Sequence, residues 1–591
     1  MNSFLLPSSA TLVTRILDNK NATEPMIEAD SRKLAFSSER QGTKLVRCTP
    51  EEEGIPSELL CEYLQKISRD SSLNMHNILI LRNGRIVCEA SFGAQRSDVW
   101  KYTFSACKSI VSLAIGMLID DGLLSVDDRI ADIFPKEIGA ITKLKLKDLR
   151  VDDVLTMRAS LQFAEGDCMT TTEWVKEFLN SATKGEIGKT FRYNSLNTYL
   201  LAAIVVRKTG KSLSEFLDKR LFAPLGIVNY YWEKSPQNIE KGGWGLYLLA
   251  EDFAKIGHMV LSHGVYEGKR IVSSEYLNSA CFGHVDVQKE SETFNYGYQI
   301  WVGKKNDVFL FNGMLGQNVF GFKKSGVVVV ANAGNGEFFQ TGNFFDYTLD
   351  LFDRVISPTL PKNNREYKNL QKTIRALSLY YPQKISVRDR LIALFSLRKN
   401  MFDSIVGDYR FSKGEPNAVG LMPLILQAVQ NQYTKGFVSV SFYQKDNIPY
   451  LLYCEKNQKY EIPLGFKTPI CKHYSFGKLD YLVASCAKFK HDEYDRLVLM
   501  VRLDFMETPC SRILKFVFTH EGGLLIYHEE APGEAFVSEA VSVFLQELSQ
   551  VSMPLLAGMI NRFGEDYMEL KLNKILSPKL ELVKNQISDE K

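Results

Sequence analysis

One segment of the sequence, TFSACKSIVSLAIGMLIDDGL, limits the folds that this chain can adopt. From Ile110 to Ile119 it is apolar almost all round, and a helix with that pattern must be enclosed on every side. The run is only about half as long as the roughly 20 residues that a membrane span needs. We therefore predict a buried central helix inside a large domain. With 591 residues and a prior of about 150 residues per domain, the chain has room for two to four domains.

The overall composition excludes several classes of protein. Apolar residues make up 45% and charged residues 24% of the chain, as in globular proteins and unlike disordered or fibrous ones. Lys and Arg (72) nearly balance Asp and Glu (69), so the net charge gives no reason to expect a nucleic-acid partner. The sequence has no Cys/His cluster and no glycine-rich nucleotide motif. We therefore expect reduced thiols, no metal and no cofactor.

The N-terminal sequence, MNSFLLPSSATLVTRILDNK, bears on the location of the protein. It lacks the basic region and the sustained apolar core of a secretory signal. Together with the absence of an apolar run long enough for a membrane span, this predicts a cytoplasmic protein.

We divide the chain into four parts. Residues 1–45 are polar and without periodicity, which predicts an N-terminal arm. Strand, helix and loop signals alternate over 46–356, beginning with a hairpin whose Asn-Gly turn lies between His76–Leu81 and Arg85–Ala90. A polar, Pro-containing linker is expected at 357–375.

The last part, 376–591, contains short β-rich runs separated by turn residues, which predicts an antiparallel lipocalin-like barrel or a sandwich. Its end, Ala535 to Ile575, is helical in pattern. The predicted strands are Gly436–Tyr443, Tyr450–Cys454, Leu479–Ala484, Arg496–Leu503, Ile513–Phe518 and Leu524–His528. Two segments of this part, GLMPLILQAVQNQYTKG and DFMETPCSRILKF, look specific without indicating a chemistry. Fold analogy alone suggests that this part shapes or covers a pocket.

Ser105 and Lys108 form a Ser-x-x-Lys pair at the start of the predicted buried helix. Residues three apart share a helix face, so the lysine amine can lie beside the serine hydroxyl. A lysine removed from water can act as the base that takes the serine proton. The same spacing recurs elsewhere without a long buried helix, at Ser181/Lys184, Ser396/Lys399, Ser475/Lys478 and Ser588/Lys591. The structural alternative is that Lys108 only pairs with a carboxylate.

Several segments in a fixed order resemble the penicillin-recognising serine hydrolases, which comprise class C β-lactamases, D-Ala-D-Ala peptidases and their esterase and amidase relatives. The resemblance covers about 48–356. It is carried by TFSACKSIVSLAIGMLIDDGLLSVDD, LKDLRVDDVLTMRASLQF, TFRYNSLNTYLLAAIVVRKTG and GGWGLYLLAEDFAKIGHMVL. The resemblance implies an α+β fold of the β-lactamase/penicillin-binding-protein type, in which helices flank an antiparallel sheet and form a separate helical lobe.

The resemblance also implies roles for individual residues. Ser105 matches the nucleophile that forms the acyl-enzyme, and Lys108 matches its activating partner. Tyr193 matches the tyrosine of the second motif, whose phenol can exchange a proton with the leaving group. Ser195 takes the third place of that Tyr-x-Asn/Ser motif and is expected to hydrogen-bond Lys108 or substrate.

The third motif departs from the family pattern. Lys or His, a small residue and Gly are usual there, and this chain has Phe311, Asn312 and Gly313. Gly313 still allows a close approach of the backbone to a substrate. The resemblance implies an oxyanion hole made by the backbone N–H groups of Ser105 and Met314. Phe311 supplies no cation for the carboxylate of penicillins and D-Ala peptides.

These features predict a hydrolase of small ester or amide substrates. The early segments also look most like the 6-aminohexanoate-dimer-type amidases of the family. Two alternatives stay open: a hydrolase of β-lactams or D-amino-acid peptides, and a non-catalytic ligand-binding relative. The sequence leaves the exact substrate and the oligomeric state open.

Overall fold

Two sheets, one N-terminal and one C-terminal, carry most of the strands. A computed structural model describes residues 32–169, 171–287, 291–336, 342–354, 356–378, 397–411, 417, 419–430, 432–533 and 578–584. The terminal helix predicted at 535–575 and most of the predicted N-terminal arm lie outside these residues. Within them, no helix is both long enough and apolar enough to cross a bilayer.

The N-terminal sheet has eight strands and contains the predicted hairpin. Met75–Arg82 pairs antiparallel with Arg85–Ser91, so the hairpin is confirmed. Asn83 and Gly84 at its turn both have positive φ, which Asn-Gly turns favour. In spatial order the strands are Val46–Arg47, Arg85–Ser91, Met75–Arg82, Val327–Ala333, Gln317–Phe322, Val308–Gly313, Trp301–Gly303 and Phe294–Tyr296. Only Val46–Arg47 joins its neighbour in parallel.

Helices cover both faces of this sheet, so its central strands are apolar on both sides. One face packs against Ala250–Leu261, and its apolar side chains share one buried cluster with the helices Lys108–Asp120 and Ser195–Thr209. The other packs against Ser57–Arg69 and Asn343–Phe352. The remaining helices are Ile130–Ile133, Ala140–Lys145, Val151–Leu155, Trp174–Asn180, Leu213–Leu217, Ser274–Ala280, Asn364–Leu377, Leu397–Ile405 and Leu424–Gln430. The layered α+β arrangement predicted from the sequence is present.

The segment expected to be a linker contains most of a helix. Asn364–Leu377 begins with Asn363, whose side chain accepts a hydrogen bond from the N–H of Glu366. Its Leu370 is fully buried in the same apolar cluster as Leu60 of helix Ser57–Arg69. The helix therefore extends the layer on that face of the N-terminal sheet.

The C-terminal sheet is an antiparallel, barrel-like sheet of ten strands. In spatial order they are Lys459–Pro463, Ile448–Glu455, Phe437–Lys445, Gly407–Arg410, Lys579–Lys584, Gly523–Ala531, Ser511–Phe518, Leu497–Phe505, Leu479–His491 and Ile470–Phe476. The two outermost strands, Lys459–Pro463 and Ile470–Phe476, approach each other. The hydroxyl of Tyr474 on one donates to the carbonyl oxygen of Glu461 on the other at 3.0 Å. All six predicted strands are confirmed. Buried side chains of its strands form one apolar cluster of aliphatic and aromatic residues.

A buried ion pair joins the segment that precedes the N-terminal sheet to the C-terminal sheet. Lys33 and Glu507 are both fully buried and lie 2.6 Å apart, Nζ to Oε2. The same carboxylate accepts the indole N–H of Trp100 at 2.6 Å. Lys33 also forms a β-bridge with Leu479 of the C-terminal sheet. Burial lowers the pKa of Lys33, and the Glu507 carboxylate opposes that shift.

We predict that Lys33→Met lowers the free energy of unfolding by roughly 3–5 kcal/mol, because it leaves the Glu507 carboxylate buried without its cation. Arg32→Met is the matched control. Arg32 pairs with Asp480 at the surface, with 57% of its side chain exposed, and should cost under about 1 kcal/mol. Urea unfolding followed by tryptophan fluorescence checks both. Equal losses in the two variants would contradict the importance of the buried pair.

Candidate active site

Ser105 lies at a sharp entry into the predicted central helix. A 3-10 turn, Phe104–Cys107, leads directly into the α-helix Lys108–Asp120. Within 101–118 Ser105 is the one residue that is partly exposed. Phe104 before it has φ of 46°, a left-handed conformation that a bulky residue rarely adopts. Such strain is found where a site needs a fixed geometry, and here it precedes a serine that reaches the surface.

Lys108 is almost completely buried, with 1% of its surface exposed. Its Nζ contacts three oxygen atoms: Ser105 Oγ at 2.8 Å, Ser195 Oγ at 2.8 Å and the carbonyl oxygen of Gly243 at 2.7 Å. None of the described carboxylates lies within ion-pair distance of this nitrogen. The alternative in which Lys108 only pairs with a carboxylate is therefore wrong for this part of the chain.

The three contacts of Lys108 differ in what they can accept and donate. The carbonyl of Gly243 can only accept a hydrogen bond, whereas the two hydroxyls can do either. A neutral amine has two hydrogens and one lone pair. Donation to Gly243 and Ser195 leaves the lone pair directed at the hydroxyl of Ser105. The geometry thus suits transfer of a proton from Ser105 to Lys108.

Tyr193 lies beside Lys108 on the loop before helix Ser195–Thr209. The centroid of its ring is 5.1 Å from Lys108 Nζ. The ring stacks on Trp301, with centroids 6.0 Å apart, and meets the edge of Tyr296 at 6.2 Å. Asn194, the next residue, caps the helix by accepting the N–H of Leu196 at 2.9 Å. These contacts fix the loop that carries Tyr193 and Ser195.

The residues of the third motif lie next to Ser105 through their backbone. Gly313 ends strand Val308–Gly313, and a Cβ at this position would collide with the carbonyl oxygen of Thr103. Only glycine therefore lets the strand approach the segment that carries Ser105. Met314, the following residue, is partly exposed.

The side chains of the other two residues of this motif are engaged elsewhere. Phe311 is fully buried and packs in the apolar core, with its ring centroid 5.5 Å from that of Phe309. Asn312 accepts a hydrogen bond from the side chain of Asn318 at 2.7 Å. The structure thus brings Ser105, Lys108, Tyr193, Ser195 and the backbone of Gly313 together, while the Phe311 ring belongs to the core.

The loop 241–245 is part of the site, and sequence reasoning missed it. Besides bonding Lys108, Gly243 packs so closely on Ser195 that an added Cβ would lie 2.7 Å from the Ser195 Cβ. Glu233 holds the loop, because its Oε2 accepts Lys241 Nζ at 2.8 Å. Gln430, from the last part of the chain, donates to Glu233 Oε1 at 2.6 Å. The Gly-Gly pair in GGWG was the only sequence signal for this loop.

Comparison with known proteins finds a family whose model matches part of this chain. The Beta-lactamase family model matches residues 75–344. Residues 75–344 form a beta-lactamase-family domain. The match begins in the hairpin and ends in helix Asn343–Phe352, so this domain includes every predicted site residue. The predicted fold class, a β-lactamase/penicillin-binding-protein-like α+β fold with a β-rich barrel behind it, is confirmed.

Individual proteins similar to this chain carry related names. The 6-aminohexanoate-dimer hydrolase of Paenarthrobacter ureafaciens is 25% identical over 284 residues, which cover 43% of this chain and 70% of that protein. EstCE1, a hydrolase with promiscuous acyltransferase activity, covers 50% of this chain and 98% of its own at 18% identity, with a TM-score of 0.42. The octameric penicillin-binding protein homologue from Pyrococcus abyssi covers 79% of this chain and 96% of its own at 14% identity, with a TM-score of 0.40.

We predict that Gly243→Ala slows the reaction of Ser105 with a fluorophosphonate probe by roughly 100-fold, because a shift of about 1 Å at a reacting group has such an effect. The added methyl would push the loop away from Ser195 and withdraw the carbonyl from Lys108. Gly139→Ala is the matched control, since a Cβ at Gly139 meets no atom within 4 Å. Mass spectrometry of the labelled protein measures both rates. Similar slowing in the two variants would contradict the role of the loop.

Proposed function

We propose that the protein is a serine hydrolase that acts on small ester or amide substrates through an acyl-enzyme. The observation that carries the proposal is the environment of Lys108. This buried amine contacts Ser105, Ser195 and the Gly243 carbonyl, and no described carboxylate pairs with it. Lys101 is equally buried and also lacks a carboxylate partner among the described residues, but it binds only an amide and a backbone carbonyl, whereas Lys108 contacts the hydroxyl of the partly exposed Ser105.

Acylation begins with attack of Ser105 Oγ on the carbonyl carbon of the substrate while the hydroxyl proton moves to Lys108 Nζ. The N–H groups of Ser105 and Met314 stabilise the negative charge that develops on the carbonyl oxygen. The tetrahedral intermediate then collapses, the bond to the leaving group breaks, and Tyr193 delivers a proton to that group. Tyr193 recovers its proton from Lys108, so that both residues are restored.

Deacylation uses water in place of the leaving group. The water attacks the ester carbonyl of the acyl-enzyme and gives its proton to the pair formed by Lys108 and Tyr193. The bond to Ser105 Oγ then breaks, and the proton returns to the serine. The acid is released, and no cofactor takes part in the scheme.

The chemistry around the site favours substrates without a carboxylate at the recognition position. Phe311 stands where the family pattern has a cation, and its ring lies in the apolar core. Lys241, the cation of the loop 241–245, is paired with Glu233. The tyrosine of the site stacks on Trp301, an apolar neighbour. The name of the curated relative, a 6-aminohexanoate-dimer hydrolase, supports amides as well as esters.

We predict that Ser105→Ala abolishes labelling by a fluorophosphonate and lowers p-nitrophenyl acetate hydrolysis by roughly 10³-fold or more, because it removes the nucleophile. Ser475→Ala is the matched control, since Ser475 and Lys478 have the same spacing on the C-terminal sheet. Intact-protein mass spectrometry locates the label. Equal labelling of Ser105→Ala and the parent would show that the assigned nucleophile is wrong. If the parent reacts with no ester, amide or lactam, the non-catalytic binding hypothesis replaces this one.

Two matched esters test the prediction on substrate charge. We expect kcat/KM for p-nitrophenyl butyrate to exceed that for mono-p-nitrophenyl succinate by more than about tenfold, because the succinyl carboxylate loses hydration without gaining a cation. Initial rates of p-nitrophenol release give both values. A preference for the succinate, or turnover of nitrocefin faster than of the butyrate, would favour the β-lactam or D-amino-acid peptide alternative.

A further inference from the structure

The two segments of the last part of the chain that looked specific in the sequence both contact the beta-lactamase-family domain. In DFMETPCSRILKF, the carbonyl of Met506 accepts Lys101 Nζ, and the carbonyl of Glu507 accepts the N–H of Tyr102 at 2.8 Å. In GLMPLILQAVQNQYTKG, Gln430 donates to Glu233. The first segment therefore reaches the strand that leads into Ser105. The second reaches the residue that holds the loop 241–245.

We propose that the C-terminal sheet completes the active site, and that Gln430 is a positioning residue for Lys108 that acts through Glu233 and the loop 241–245. The inference rests on the proposed serine hydrolase function and deepens it. It differs from the expectation that the last part of the chain only shapes or covers a pocket, because it gives that part a role in the geometry of proton transfer.

Glu233 brackets the loop through its backbone and its side chain. Its N–H donates to the carbonyl of Gly245, and its own carbonyl accepts the N–H of Lys241, both at 2.9 Å. Its carboxylate binds Lys241 through one oxygen and Gln430 through the other. Glu233 is 5% exposed and Gln430 is 8% exposed, so water does not readily replace the hydrogen bond that Gln430 donates to Glu233. The Gly243 carbonyl that bonds Lys108 lies in the middle of this bracket.

The segment that carries Gln430 is anchored to the C-terminal sheet by buried charges. Glu530 accepts the N–H of Leu424 at the start of the helix Leu424–Gln430, at 2.8 Å. Glu455 accepts the N–H of Leu421 at 2.9 Å. Both carboxylates are buried, and a charge-assisted bond such as the one to Leu424, at the start of the helix, is strong. The C-terminal sheet therefore holds the start of this helix in place, and the helix in turn fixes the position of Gln430 at its other end.

Apolar packing links the same sheet to the proposed oxyanion hole. Phe104 and Leu315 are buried in the apolar cluster of the C-terminal sheet together with Leu426. Both have positive φ, 46° and 65°, which costs each of them backbone strain. They are the immediate neighbours of Ser105 and Met314, whose N–H groups would form the oxyanion hole. Packing against this cluster is what compensates the strain next to both donors.

Gln430→Leu in the full chain tests the inference, because leucine fills the same volume and cannot donate to Glu233. We expect the acylation rate with p-nitrophenyl butyrate to fall by about tenfold or more, with KM within about twofold of the parent, since the change moves a reacting group and not a substrate contact. Gln430→His, which keeps an N–H donor at similar reach, should recover the rate to within about threefold. In a Glu233→Gln background, Gln430→Leu should add less than about twofold, because both residues act through one carboxylate.

Gln458→Leu is the matched control. Its amide binds the carbonyl of Ser475 within the C-terminal sheet, away from Glu233. It should keep the acylation rate of the parent. An equal loss in this variant and in Gln430→Leu would overturn the inference, because the effect would then be general destabilisation. So would parent-like acylation of Gln430→Leu. A parent that is not acylated at Ser105 at all would instead refute the proposed function.

Discussion

The position of one buried amine determines much of the arrangement of the beta-lactamase-family domain. Lys108 has three oxygen neighbours, and each comes from a different part of the chain: the turn before the central helix, the start of the helix Ser195–Thr209, and the loop that contains Gly243. A buried ammonium or amine without such partners would cost several kcal/mol. The apolar body of the central helix removes water from the group, and the three oxygens then specify which atoms can exchange a proton with it.

The geometry of the site is held from outside the family domain as well as from within it. Backbone strain at Phe104 and Leu315, of order 1–3 kcal/mol at each residue, persists only where surrounding structure compensates it. Here the compensating contacts belong to an apolar cluster made mostly of side chains from the C-terminal sheet. The family domain and the C-terminal sheet therefore share one apolar cluster and do not form two separately packed units.

Local patterns predicted much of the fold and part of the site. The hairpin followed from Asn-Gly and the central helix from its continuous apolar run. The family resemblance implied that Ser195 bonds Lys108 or substrate, and the structure has the bond to Lys108. Gln430 and Lys33 were not predictable, because their partners lie hundreds of residues away and neither belongs to a local pattern. The strands Gly407–Arg410 and Lys579–Lys584 escaped prediction because they are short or mostly polar, and backbone pairing with longer neighbours fixes them. The burial of Phe311 depends on the face that its strand presents, which its spacing from Gly313 did not reveal.

The position of strand Lys579–Lys584 sets the order in which the molecule can assemble. It lies between Gly407–Arg410 and Gly523–Ala531, so the C-terminal sheet stays open between those strands until residue 584 has left the ribosome. All strands of the N-terminal sheet have emerged by residue 333, long before that. Ser105 and Lys108 thus meet early during synthesis, while the cluster that supports Phe104 and Leu315 closes last. A nascent chain would bring the proposed nucleophile and the proposed base together before it holds the geometry to use them.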